Sequence, residues 1–448
     1  MAEMGRECSG MDNFSRLPDE LVLCIISLLP MKDAVRTSIL SSRWRYLYAS
    51  SSNLDFDLWS NDIDFVEFVD RVFFLRKRCP INRFRLRICC TETRDSCVSR
   101  IPEWIIAVMR LDVRELELSL DTELLLLLPP SLFTCETLVV LKLSICPESG
   151  EDGSDESSLK VPANVCLPSL KVLHLVDFTF SDDCRKRLFS NCPVLEDLKC
   201  SFKESNWKCV VCNPTLKRLT ITSSDNPDGK SEIVVDAPGL DYLELSVWDV
   251  YSCTFLNIEA LAKADISFLC HEWEDYDENY ENAVANLMKA ISNIQTFRIC
   301  GLTLSEFNYF DIPNPGFNNV THLTIASCKE CGFPELQYIL LRCESLETLV
   351  LEDSLGHEWD PAEGTISWPS PQEQDEINCL SFCVKKIVLL WFEGSEVEIE
   401  LAKYFLQSAE VLESMEIHIK AGYQDQLEIT KELLRLPRAS NECIVDIV

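Results

Sequence analysis

One short phrase, apolar-x-x-apolar-x-apolar, recurs along this chain from residue 81 onward and constrains the fold more than any other feature. It occurs as Ile81-Phe84-Leu86, Val113-Leu116-Leu118, Leu138-Leu141-Leu143, Leu170-Leu173-Leu175, Leu195-Leu198-Cys200 and Leu216-Leu219-Ile221. It continues as Leu240-Leu243-Leu245, Leu261-Ala264-Ile266, Ile294-Phe297-Ile299, Val320-Leu323-Ile325 and Leu346-Leu349-Leu351. One copy is what any strand with alternating burial shows. Eleven in tandem, with first positions 21 to 33 residues apart, predict a stack of repeated strand units. Several copies follow Pro-containing turn phrases (LPSL, CPVL, NPTL, APGL) that start a strand cleanly.

The spacing brackets the 20–29 residue period of leucine-rich repeats. A stack of this kind suits a length of 448 residues, which is too long for one compact core. The second and third apolar residues of each phrase point inward and the intervening ones face the other way. The stack is therefore expected to present a concave sheet bearing Arg85, Arg87, Glu115, Glu117, His174, Arg218, Tyr242, Glu244, Trp248, Arg298 and His322. All but the two glutamates of the second copy, Glu115 and Glu117, are candidate target-binding residues on a surface that recognises partners by shape and mixed polar contacts.

Composition excludes several functions. With 41 Lys and Arg against 73 Asp and Glu, the net charge of −32 repels a phosphate backbone, and nucleic acid is not an expected partner. Only 13 Gly are present, and neither G-x-G-x-x-G nor G-x-x-x-x-G-K-[ST] occurs, so no nucleotide cofactor is expected. No apolar run approaches the roughly 20 residues of a membrane span. The N-terminal residues lack the apolar core of an export signal. The 23 Cys then read as free, largely buried thiols of a chain in the cytoplasm or nucleus.

Residues 14–50 predict three short helices. Pro18 opens the first, with Leu21, Ile25 and Leu28 on one face; Pro30 ends it. Residues 32–37 form the second, and Ser41 or Ser42 caps a third carrying Trp44 and Leu47. So small a unit is expected to complete its core against a partner. The pattern Leu17-Pro18-x-x-Leu21, Ile25, Leu28-Leu29-Pro30, Lys32-Asp33, Val35, Leu40-Ser41, Arg43-Trp44 and Leu47 resembles an F-box. The resemblance implies docking on the Skp-type adaptor of a cullin-based ubiquitin ligase. It gives Leu17, Pro18, Leu21, Ile25, Leu28, Leu29, Pro30, Val35, Leu40, Trp44 and Leu47 as the adaptor-binding residues. The module is locally basic, with five basic and three acidic side chains, which suits an acidic partner.

After residue 366 the strand phrase returns as Val384-Ile387-Leu389 and Leu412-Met415-Ile417, with a helix predicted between them over 396–409 from Val397, Leu401, Tyr404 and Phe405. A strand-helix-strand unit of this kind would cap the end of a solenoid. Trp368-Pro369, Cys379-Leu380, Phe392-x-Gly394, Glu398, Glu400-Leu401, Tyr404-x-Leu406, Ala409, Leu412, Met415 and Ile417 are similar to the FBD domain. Ile377-Asn378 stands where that family usually has Val-Pro. The order of modules resembles the plant F-box/FBD/leucine-rich-repeat family. The expected fold is α/β: a three-helix F-box over 11–59, a curved repeat solenoid over 60–365 and an α/β FBD domain over 366–448.

Other constellations carry less. Cys209-x-x-Cys212 and Cys328-x-x-Cys331 have zinc-like internal spacing but stand far apart, and no metal site is expected. His174, His271, His322, His357 and His418 are scattered, with no nucleophile phrase beside them. Arg83, Arg85 and Arg87 share one strand face; they are expected to pair with acids of the neighbouring repeat such as Glu115 and Glu117, an acidic ligand being the alternative. Residues 148–158 are expected to be solvated, as are the acidic and aromatic residues 272–281, for which a docking surface for a basic peptide is the alternative.

These features imply a non-catalytic substrate receptor: the F-box binds the adaptor and through it a cullin, while the repeats and FBD hold a target protein for ubiquitination. The alternative is a small-molecule sensor whose concave face binds a ligand that completes a protein interface.

Overall fold

The computed structural model describes residues 17–58, 64–76, 79–88, 99–125, 127–146, 161–177, 181–203, 206–223, 231–248, 250–268, 278–309, 316–326, 332–352, 377–420 and 426–448. They divide into two compact units, Met1–Phe180 with Asn191–Val194, and Ser181–Ser190 with Leu195–Val448. Residues 148–158 and 272–277, His271, His357, Cys328, Cys331 and Trp368-Pro369 lie outside the described residues.

In the first unit, α1 (Asp19–Ser27) and α2 (Met31–Arg36) form the N-terminal module. The expected third helix is 3-10 instead, over Thr37–Ile39 and Trp44–Ser50. Its cap position is Arg43 rather than Ser41 or Ser42, although Ser41 Oγ accepts the Trp44 N–H at 3.4 Å. Val22, Ile26, Met31, Ala34, Trp44 and Tyr48 make the module's small core.

Strands β1 (Asn53–Leu58), β2 (Arg83–Ile88), β3 (Glu115–Leu120), β4 (Val140–Ile145) and β5 (Val172–Val176) then pair in parallel, in sequence order. The repeated phrase sets the register: Phe84 stands opposite Leu116, Leu116 opposite Leu141 and Leu141 opposite Leu173, all fully buried. A one-residue slip would turn this whole ladder to solvent. Strand β1 was not expected; its Leu54, Phe56 and Leu58 alternate inward like the rest. The helices Phe65–Leu75 and Ile101–Met109 cover the inner row, Phe56 packing against Phe68 and Phe84 with ring centres 5.8 and 6.0 Å apart. Asp70 joins the two helices by accepting hydrogen bonds from Trp104 Nε1 at 2.8 Å and Arg100 Nη2 at 2.6 Å.

The second unit continues the pattern. Strands β6 (Asp197–Phe202), β8 (Arg218–Ser223), β10 (Tyr242–Val247), β12 (Lys263–Phe268), β13 (Thr296–Cys300), β14 (His322–Ala326), β15 (Thr348–Glu352), β16 (Lys386–Phe392), β17 (Ser414–Ile419) and β18 (Ile444–Ile447) form one parallel sheet in that order. A second parallel sheet, β7 (Trp207–Cys212), β9 (Ser231–Asp236) and β11 (Ser252–Leu256), is ordered β11-β9-β7. Repeat spacing accounts for it. Between Leu195 and Leu261 the phrases lie 21 to 24 residues apart, room for a return strand but not a packed helix. The wider interval from Leu261 to Ile294 holds the helix Glu278–Ala290.

Near the C-terminus the expected helix is Glu396–Ser408. Ser395 caps it reciprocally with Glu398: Glu398 N–H donates to Ser395 Oγ at 3.3 Å, and Ser395 N–H donates to Glu398 Oε2 at 2.8 Å. Gly394 has φ +81°, and a Cβ there would stand 2.3 Å from Ile429 Cδ1. Two quoted FBD positions, Gly394 and Glu398, are thus fixed by the backbone turn they build. The helix Gln426–Arg435 and β18 extend the expected strand-helix-strand unit.

Every described cysteine but Cys146 is a free thiol. Cys146 is disulfide-bonded, a departure from the reading of the cysteines as thiols throughout. Among the described residues no helix is long and apolar enough to cross a membrane.

Candidate functional site

Two surfaces follow from this architecture, one on the N-terminal module and one on the sheets. On α1 the buried residues are Val22 and Ile26, so the stripe Leu21, Ile25 and Leu28 on the other side is exposed, Leu28 by 83%. Leu40 is exposed too, as are Pro18 and Pro30, while Leu17, Leu29, Val35 and Leu47 are half-buried. Trp44 differs from the expectation: at 4% exposure it belongs to the module's core, because the 3-10 turn aims its indole inward. Two further apolar side chains escaped the sequence reading, Ile39 at 85% exposure and Tyr46. Their signal was available as apolar residues that no helical period claims. So many large exposed apolar groups on so small a module mark an interaction face.

The module is tied to the first strand unit. Asn53 Nδ2 donates to the Ser27 carbonyl at 3.2 Å, and Arg76 Nη1 donates to the carbonyls of Ala49 at 3.2 Å and Ser51 at 2.7 Å. Burial lowers the Arg76 pKa, and these carbonyls, with those of Cys79 and Pro80, hold its guanidinium in place.

On the sheet of the first unit, the arginine row is engaged by acids. Arg85 lies 3.4 Å from Asp55 and 3.2 Å from Glu117, Arg83 lies 3.0 Å from Glu117, and Arg87 lies 3.5 Å from Asp57. The register creates the ladder, since Asp55, Arg85 and Glu117 are consecutive partners across β1, β2 and β3. β1, absent from the sequence reading, supplies half of it. His174 stands in the same row, opposite Lys142.

On the main sheet of the second unit, Glu244, Asp265 and Arg298 occupy one row. Arg298 lies 3.2 Å from Asp265 and 2.7 Å from Glu352. Glu244 Oε2 accepts from Tyr242 Oη at 3.2 Å and Thr220 Oγ1 at 3.1 Å. Burial, with the nearby Glu244 and Asp265 charges, pushes the Tyr242 hydroxyl up to about 12. Burial likewise raises the Asp265 carboxyl, against the pull of Arg298. Arg298 is held more firmly protonated, first by its hydrogen bond to Glu352. Arg218 lies 3.3 Å from Asp197, His322 Nδ1 is 2.9 Å from Thr321 Oγ1, and Trp248 is half-buried with its backbone N–H on Ser223 Oγ at 3.1 Å.

These rows are polar surfaces in which acids and bases pair across neighbouring strands, suited to reading a partner. Cys209 is buried and Cys212 exposed on strand β7, as three-residue spacing on a strand dictates, so the pair does not converge on one ion. Among the described residues no group of three or more His, Cys, Asp or Glu is arranged to hold a metal.

Three family profiles match the chain: the F-box domain over 14–54, the LRR repeats of FBD-associated F-box protein At5g56370 over 101–260, and FBD over 372–417. The F-box/LRR-repeat protein At4g14096 of Arabidopsis thaliana is 32% identical, with 98% of this chain and 95% of that protein aligned. The chain belongs to the plant F-box/FBD/leucine-rich-repeat family. The Arabidopsis F-box/LRR-repeat protein At3g59200 is 31% identical across 98% of this chain and 88% of its own length. The putative F-box/FBD/LRR-repeat protein At3g59240 of the same plant is 29% identical across 98% and 89%. F-box/LRR proteins are generally adaptors rather than catalysts, and an F-box domain implies a Skp-type adaptor as partner.

Proposed function

We propose that this protein is the substrate-recognition subunit of a Skp–cullin–F-box ubiquitin ligase, acting in the cytoplasm or nucleus. The observation that carries the reading is the exposed apolar stripe of the N-terminal module. Leu21, Ile25, Leu28, Ile39, Leu40 and Tyr46 face solvent, outside the buried set of Val22, Ile26, Met31, Ala34, Trp44 and Tyr48. Burying them on an adaptor removes that apolar area from water, at about 25 cal/mol per Å² before the costs of association. The Leu17-Pro18 pair leads into the same face. The strand rows and the FBD then hold the target, and the chemistry is left to other subunits. The chain's contribution is proximity: it raises the effective concentration of target lysines at the charged conjugating enzyme.

A pull-down of the full chain against purified Skp-type adaptors tests this. The wild type binds. Leu17→Ala with Pro18→Ala, and separately Leu28→Asp with Ile39→Asp, abolish binding while the circular dichroism of the repeats is retained. Unchanged affinity of both double variants removes the docking scheme.

A further inference from the structure

Strand β11 is the edge of the three-stranded sheet, and the helix Glu278–Ala290 runs beside it. Between the strand, the turn that follows it and that helix lies an open cavity of about 360 Å³, lined in part by Phe255, Asn257, Glu259, Asn286, Lys289 and Ala290. Parallel strands direct the N–H and C=O of one residue to the same side. The Cys253 carbonyl points away from β9, because it accepts from Asn286 Nδ2 of the helix at 3.2 Å. Two residues on, Phe255 directs its N–H and C=O to that same outer side, into the cavity between strand and helix. Among the described residues, neither group has a hydrogen-bond partner there.

The rim is uncommitted as well. Lys289 and Glu259 both line the cavity, and among the described residues neither forms an ion pair. The turn at the mouth is fixed in advance: Asn257 takes φ +49° and donates from Nδ2 to Asp236 Oδ1 at 2.9 Å. An unpaired main-chain donor and acceptor side by side on a strand edge match one chemistry best, another main chain. An unpaired cation and anion at the rim match side chains of opposite charge on it.

We infer that this groove binds an extended peptide segment of the target protein, which pairs through its backbone with Phe255 and places an acidic side chain on Lys289 and a basic one on Glu259. The inference rests on the substrate-receptor reading, and it adds a groove on the three-stranded sheet to the polar rows of the main one as a place where the target is held.

Selection of a displayed random-peptide library on the full-length protein, followed by fluorescence polarisation with one enriched peptide, tests it. Enriched peptides carry an acid and a base at fixed separation and bind with affinity on the order of micromolar. Ala290→Arg, which fills the groove, and Lys289→Glu on its exposed rim each weaken binding by about tenfold or more. A peptide with its acid exchanged for Lys recovers affinity for Lys289→Glu, which a merely misfolded variant does not allow. Hydrogen exchange of the Phe255 amide slows on binding. Failure to enrich any peptide, or enriched peptides indifferent to both substitutions, overturns the proposal. Adaptor pull-downs on the same preparations separate the two readings: peptide binding without adaptor binding sinks the receptor role and leaves the groove, while the reverse leaves the receptor and sinks the groove.

Discussion

Arg43 reaches back 24 residues to Asp19, its Nε standing 2.7 Å from Oδ1, and the same guanidinium donates to the Leu17 carbonyl. The 3-10 segment is thereby tied to the start of α1, at the point where the Leu17-Pro18 pair enters the exposed face. The pair is partly solvated, with about a third of the Arg43 side chain exposed. Arg43→Ala is expected to cost about 1 kcal/mol of stability. The loss is local: hydrogen exchange over Asp19–Ser27 accelerates while β2 to β5 keep their protection. Uniform loss across the unit would show the link to be general rather than local.

Leu28 and Ile26 lie two residues apart on one module with opposite fates. Leu28→Ala is expected to leave the thermal midpoint unchanged, within roughly 0.5 kcal/mol, because its side chain is already in water. Ile26→Ala removes a fully buried side chain and is expected to cost about 2–5 kcal/mol. Adaptor affinity reverses the order, Leu28 mattering more. Denaturation curves with matched binding assays check both halves.

Gly394 and Ile429 form a second coupled pair. Gly394→Ala places a methyl group 2.3 Å from Ile429 Cδ1 at a positive φ, and is expected to destabilise the C-terminal domain by about 2 kcal/mol or more. Adding Ile429→Ala relieves the clash but not the backbone strain, so a double-mutant cycle returns part of the loss and not all of it.

The cysteines give a pH dependence. Burial pushes the Cys192 and Cys379 thiols up to about 12, and raises Cys253 and Cys343 further. Unfolded thiols ionise near about 8.5. The folded chain keeps these protons longer than the unfolded one, so their contribution is intact below about pH 8.5 and is lost as pH rises toward 12. Alkylation followed by mass spectrometry is expected to label exposed Cys24, Cys166 and Cys212 in the native protein, and Cys253, Cys343 and Cys379 only after denaturation. Early labelling of Cys343 would contradict the packing of its repeat.

The strand phrase was legible because each copy carries its own evidence. Phe84, Leu116, Leu141 and Leu173 are equivalent in sequence and partners in register, since repeats stack on nearest neighbours alone. The predicted pairing of Arg83 and Arg85 with acids of the next strand follows from the same register. Trp44 was misplaced because a motif position says nothing of which way a 3-10 turn aims its ring. Ile39 and Tyr46 were missed because exposure of a lone apolar residue is a property of what fails to cover it.

The order of modules, the inward rows of the sheets, the helix Glu396–Ser408 and the apolar stripe of α1 were determined by the sequence alone, for each depends on local periodicity and short-range turns. Two features were decided only by tertiary structure: β1 completing the arginine ladder, and the groove where the edge of the sheet β11-β9-β7 leaves Phe255 unpaired. Each depends on which segments meet across the fold, and a strand's free edge exists only once its neighbours have been placed.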